Sequence, residues 1–176
     1  MNHSYEIEFE NVHLRPLKEE DIESLRRWRN NSSNTLYLNK IPYITPEMQK
    51  KWFENYIDNN DEMCFAIIEN KELNRLVGSL SLYQFKPDEC FFGKILVGDK
   101  DAHGRKIGLN ATIAATKLAF EQLHKNCVKL FVFCDHRQAY NVYTKAGFHV
   151  TDEHETELGR KEFTMSKEKK EGNNHA

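Results

Sequence analysis

Residues 95–112 read ILVGDKDAHGRKIGLNAT. An apolar, strand-like stretch, Cys90 to Val97, ends here, and a polar turn with Gly98, Asp99 and Lys100 follows. His103-Gly104-Arg105-Lys106-Ile107-Gly108 then opens a long helical pattern, Arg105 to Leu123, striped by Ile107, Ala111, Ala114 and Leu118. The first turn of a helix leaves about four backbone N–H groups without intrahelical partners, and the helix dipole adds partial positive charge there. Glycine lets the backbone approach an anion closely, and Arg105 and Lys106 add fixed charge. Such a turn suits a pyrophosphate; the plainer alternative is a loop with a solvated basic pair. It is neither a G-x-x-x-x-G-K-[ST] loop nor a G-x-G-x-x-G turn.

Working outward, Val128 to Cys134 (VKLFVFC) is a short apolar run, as a buried central strand should be. Asp135 to Ala146 reads as a helix with Asp135 as its N-cap and Gly147 as its stop. Phe148 to Asp152 and Glu162 to Ser166 close the chain as strands. Upstream, Cys64 to Glu69 and Leu76 to Phe85 are strands. Thr45-Pro46-Glu47 starts a helix with a hydroxyl cap, a first-turn proline and an acid. Glu19 to Asn30 is an earlier helix, and Ile7 to Pro16 one strand with a single irregularity. The order is β-α-α-β-β-β-α-β-α-β-β: an α/β fold in which a meander leads into a βαβ crossover.

The chain has 176 residues, 39% apolar and 30% charged, with a net charge of -2, which fits one globular domain. We expect residues 1–166 to form it and 167–176 to be a polar tail. The charge excludes general attraction to nucleic acid or an anionic membrane. No apolar run approaches the roughly 20 residues of a membrane span, and the polar, acidic N-terminus is no signal peptide. Cys64, Cys90, Cys127 and Cys134 form no C-x-x-C pair and have no His cluster at zinc spacing, which points to reduced thiols in a cytoplasmic protein without a bound metal.

The strand, turn and HGRKIG opening resemble the acetyl-CoA pyrophosphate loop of the GNAT N-acetyltransferases, [QR]-x-x-G-x-[GA]. Aligned so, His103 takes the Gln/Arg position, Lys106 the central glycine and Gly108 the last small residue; only Gly108 matches strictly. Residues 136–148, HRQAYNVYTKAGF, resemble the family's N-x-x-A-x-x-x-Y-x-x-x-G-F: Ala139, Tyr143, Gly147 and Phe148 match and His136 replaces the Asn. The opening LRPLKEEDIESLRRWRN resembles the branch with ribosomal-protein and amino-sugar N-acetyltransferases. The resemblance spans Ile7 to Met165.

The resemblance implies a mixed, mostly antiparallel sheet flanked by about four helices, with the fourth and fifth strands splayed to admit pantetheine. The backbone at Leu96 and Val97 would bond the pantetheine amides, and residues 103–108 (His103, Gly104, Arg105, Lys106, Ile107, Gly108) with His136 and Asn141 would meet the rest of the cofactor. Tyr143 would protonate the departing thiolate, a step its phenol suits at neutral pH; its plainer alternative is a core tyrosine. The family's usual Glu on the fourth strand is Phe92 here, which leaves Glu89 as the nearest carboxylate to serve as base. Cys134 has no paired His and Asp to make it a nucleophile. The acceptor wall would include Trp28, Arg29, Asn30, Tyr37, Ile41, Pro42, Tyr43 and Trp52, the two tryptophans having core packing as their alternative. The acceptor would be a small-molecule or peptide amine, a nucleotide-linked amino-sugar or a protein N-terminus, and the protein a monomer or homodimer. The competing readings are a CoA-binding module without catalysis and a polyamine acetyltransferase, for which Asp58, Asp61 and Glu62 make only a modest acidic patch.

Overall fold

Residues 1–35 and 42–170 of the computed structural model are described. The opening strand is a hairpin: β1 (Ile7–Phe9) turns through Glu10 and Asn11 into β2 (Val12–Pro16), antiparallel to it. Glu10 adopts a left-handed φ of 52°, which lets two residues reverse the chain. This corrects the expectation of one irregular strand; no glycine marks the turn. After a 3₁₀ turn come α1 (Ile22–Asn30) and α2 (Pro46–Asp58), the latter capped as expected, with Met48 N–H donating to Thr45 Oγ1.

The antiparallel meander β3 (Glu62–Glu69), β4 (Arg75–Tyr83) and β5 (Glu89–Val97) follows, then α3 (Ile107–Glu121), β6 (Cys127–Phe133), α4 (Arg137–Lys145), β7 (His149–Glu155) and β8 (Lys161–Glu168). The eight strands form one sheet in the order β1-β2-β3-β4-β5-β6-β8-β7, with β5–β6 as the parallel pair. β8 runs past the expected end of the domain at residue 166, and Lys167 Nζ donates to the Ala146 carbonyl at 2.7 Å.

Each face of the sheet has its own core. On one, α3 and α4 cover Val12, Leu14, Phe65, Leu80, Phe92 and Met165. The alanines 111, 114, 115 and 119 of α3 are fully buried, so the helix packs close to the strands. Replacing Phe65 or Phe92 by Ala would cost about 3–5 kcal/mol. On the other face α1 and α2 bring Leu25, Phe53 and Tyr56 against Cys64 and Ala66.

The feature that positions a site is where the sheet comes apart. β5 pairs with β6 only over Glu89–Phe91, opposite Cys127–Lys129. Beyond Phe91 the two strands separate, while β5 stays on β4 and β6 on β8. One residue of β5 bulges out, Ser81 pairing with Gly93 but Ser79 with Leu96, and Lys94 within it has φ 51°. The gap opens toward the C-terminal ends of both strands.

Candidate active site

At the mouth of the gap, Gly98 N–H donates to the Val77 carbonyl at 2.9 Å. Strand alternation then turns the N–H and C=O of Val97 away from β4, into the gap. His103 Nε2 lies 3.2 Å from the Val97 carbonyl. Leu96 differs from expectation. Its carbonyl faces β4, only 2.2 Å from where a Cβ on Gly78 would stand, so its backbone serves the sheet and its side chain lines the acceptor side.

In the turn, Gly104 has φ 78°, and both it and Gly108 have open space where a Cβ would stand. Lys106, at the position where the related loop carries glycine, holds φ 59°, ψ 21° as the N-cap of α3. An L-residue with a bulky side chain is strained there. Its side chain is exposed and makes no ion pair among the described residues. Ile107 is buried in the core, so only its backbone can reach a ligand. Arg105, expected to add fixed charge to the turn, is engaged within the protein. It is bonded to Glu72 and to the Asp101 carbonyl (2.8 Å), which ties the turn to the β3–β4 connection. Charge from Lys106 and the open N–H groups of the first helical turn are what remain for a pyrophosphate.

Across the gap, His136 is the N-cap residue of α4, with its imidazole pKa lowered by burial. Asp135, expected to cap this helix, instead pairs with Arg160 at 3.1 Å. Asn141 is exposed. Gly147 ends the helix with φ 96° as expected. Tyr143 is 8% exposed and sits edge-on to Phe92 and Phe148, with ring centroids 6.0 and 6.3 Å away. Its hydroxyl has no hydrogen-bond partner among the described residues, and burial pushes its pKa up to about 12. It is therefore a protonated, uncommitted donor. Burial also pushes the Cys134 thiol up, opposite to what a nucleophile needs.

On the opposite face of the sheet lies a cavity of about 380 Å³ between α1, α2 and the meander. Arg29, Pro42, Ile44, Trp52 and Leu96 line it, together with a polar group: Glu62, expected only as part of a modest acidic patch, and Ser81 and Lys94, which no sequence signal marks. Arg29 makes no hydrogen bond or ion pair among the described residues, and burial lowers its pKa. Among the described residues, the other expected acceptor residues do not line this cavity. Asn30 clamps Ile44 through both its donor and its acceptor (2.9 Å each), holding the loop before α2. Tyr43 is 68% exposed and accepts from Arg26. Trp28 packs on Gly98. Tyr37 and Ile41 lie outside the described residues. Glu89 is not brought to the cavity. It stands where β5 and β6 are still paired, and Lys86 (2.8 Å) and Lys129 (2.6 Å) bind its two oxygens. Those partners hold its carboxyl below the usual range. Among the described residues no group of three or more His, Cys, Asp or Glu could hold a metal, and no helix is long and apolar enough to cross a membrane.

A parted β5–β6 pair with open backbone groups, a helix N-terminus at its mouth and a separate polar cavity opposite are the geometry that an acyl-CoA-dependent acyltransferase requires. The comparisons agree: a family model described as acetyltransferase (GNAT) domain matches residues 11–149, and the chain belongs to that family. It is an N-acetyltransferase with acetyl-CoA as its acetyl donor. Acetyltransferase PseH of Campylobacter jejuni is 26% identical over 137 residues, 78% of this chain and 82% of that protein. Among solved structures, spermidine N-acetyltransferase from Vibrio cholerae in complex with CoA and spermine superposes with a TM-score of 0.79 at 18% identity, over 90% of this chain and 95% of that one. FdhC, a nucleotide-linked sugar GNAT, does so at 0.78 and 17% identity, over 94% and 91%.

Proposed function

We propose that the chain acetylates an amine whose carrier bears an anionic group, with a nucleotide-linked amino-sugar as the acceptor class. The observation that carries this reading is the charge balance of the cavity. Among the described residues its one carboxylate, Glu62, is already paired with Lys94, and Arg29 adds a second cation. Arg29, which has no partner among the described residues, disfavours the further ammonium groups of a polyamine and attracts phosphate, which a planar guanidinium binds with two parallel hydrogen bonds. The aromatic and aliphatic wall of Trp52, Pro42 and Ile44 suits a ring. The FdhC likeness supports the same class.

In this reading acetyl-CoA enters the gap with its pyrophosphate on the turn at residues 103–108, its phosphates within reach of His136 and Asn141. The Val97 N–H polarises the thioester carbonyl. The neutral amine attacks that carbon from the cavity side, the C–N bond forms and the C–S bond breaks. Tyr143 gives its proton to the departing sulfur and is reprotonated by the proton that the attacking nitrogen loses. The cytoplasm suits the protein, whose four cysteines are all free thiols.

The test is thiol release from acetyl-CoA with a UDP-linked amino-sugar and with spermidine. The amino-sugar should be the better acceptor. Arg29→Gln should raise its KM about 10-fold while leaving the KM for acetyl-CoA unchanged. Preferred turnover of spermidine would overturn the reading.

A further inference from the structure

An ammonium has no lone pair, so an acceptor amine must lose a proton before it attacks. A carboxylate of the acceptor cavity opens β3. Glu62 lies at the cavity wall with its side chain 14% exposed; Ser81 Oγ donates to Oε1 at 2.7 Å and Lys94 Nζ to Oε2 at 2.8 Å. The Cys64 thiol is 3.6 Å from Oε1, and Tyr83 is the cross-strand neighbour on β4. Arg29 of α1 and Tyr56 of α2 face the group from the helices, and the Met1 ammonium donates to the Glu62 backbone carbonyl at 2.8 Å.

Lys94 is itself a primary ammonium held against this carboxylate inside the acceptor cavity. It springs from the bulge in β5, and its side chain is 51% exposed, so its four-carbon stem has a path outward. Resting on the N-acetyltransferase reading above, we propose that Glu62 receives the acceptor ammonium in the place now held by Lys94 Nζ and removes its proton. One N–H bond breaks and one O–H bond forms on Glu62. The free amine forms the C–N bond as the C–S bond breaks. One of the two acceptor protons ends on the sulfur through Tyr143, and the other leaves Glu62 for water. Ammonium plus acetyl-CoA thus gives amide, CoA thiol and one proton. Burial alone pushes the Glu62 carboxyl up, and the contacts with Lys94 and Ser81 more than offset it, leaving it lowered. Departure of Lys94 frees the Glu62 carboxylate to accept from the incoming ammonium.

The experiment compares wild type with Glu62→Gln, an amide of the same shape that still accepts from Ser81, using acetyl-CoA and a UDP-linked amino-sugar between pH 6.5 and 9.5. The expected loss of kcat is about 100-fold at neutral pH, shrinking as the pH nears the amine's own pKa, with acetyl-CoA affinity unchanged. A wild-type rate in the variant, or a loss by one factor at every pH, would overturn the inference. If Glu62→Gln does not fold, Lys94→Met decides. It should lower the acceptor KM and move the acidic limb of kcat/KM to higher pH; an unmoved limb would overturn the inference. A wild type that acetylates no amine would defeat the reading on which the inference rests.

Discussion

The Trp28 indole lies flat over Gly98, so that a Cβ at position 98 would fall 2.1 Å from Trp28 Cγ. Gly98 is the residue at which β5 turns toward the pyrophosphate loop, and Trp28 is on α1, beside the acceptor wall. One contact thus joins the two halves of the site. Gly98→Ala should cost about 1–3 kcal/mol by overpacking and weaken acetyl-CoA binding at the same time. Urea unfolding and a thermal-shift titration with acetyl-CoA check both effects. Wild-type stability would mean that the indole moves aside freely.

Tyr143→Phe removes the unpartnered hydroxyl and keeps the ring between Phe92 and Phe148. The predicted outcome is a fall in kcat of about 100-fold with acetyl-CoA affinity unchanged. Burial holds the phenol near pKa 12, so the protonated form persists through neutral pH and no alkaline loss of rate below about pH 11 should come from it. Unchanged kcat in single-turnover measurements would remove Tyr143 from the mechanism.

The strand–turn–helix at residues 95–112 was legible because glycine, charge and a change of hydrophobic period coincide there. The helix stop at Gly147 and the Thr45 cap were legible for the same local reason. Glu62 was not: it read as one acid among Asp58 and Asp61. What singles it out is pairing across β3, β4 and β5, with Ser81 19 residues and Lys94 32 residues away. The local signal available was its position two residues before Cys64, on the same strand face. The surroundings of Glu89 were hidden for the complementary reason, since its lysine partners come from the β4–β5 turn and from β6. The β1–β2 hairpin was hidden because its turn runs through Glu10 instead of glycine.

Lys106→Gly should relieve the left-handed backbone at the start of α3. Non-glycine residues pay roughly 1–2 kcal/mol in that region, partly offset by the greater freedom of an unfolded glycine, so a net gain of about 0.5–1 kcal/mol is expected. Thermal unfolding measures it. The same variant should bind acetyl-CoA more weakly, having lost the charge, so stability and affinity move in opposite directions. A loss of stability would contradict the strain.

Glu69, 1% exposed, accepts from the backbone N–H groups of Lys71, Glu72 and Leu73 and shapes the β3–β4 turn. Burial pushes its carboxyl up, and the three donors more than offset this, leaving the pKa lowered. A carboxyl with a depressed folded pKa stabilises fully above the unfolded value, about 4.3. That stabilisation is lost as the pH falls through the folded pKa. Glu69→Gln should therefore cost about 1–2 kcal/mol at pH 7 and much less at pH 3. Denaturant titrations at the two pH values test this, and an equal cost at both would contradict it.

The gap between β5 and β6 as the seat of acetyl-CoA is tested most directly by calorimetric titration of wild type and Lys106→Glu with acetyl-CoA. Saturable one-to-one binding to wild type is expected, weakened about 10-fold by the reversed charge at the helix start. No binding to wild type at millimolar acetyl-CoA, or identical affinity in the variant, would contradict it.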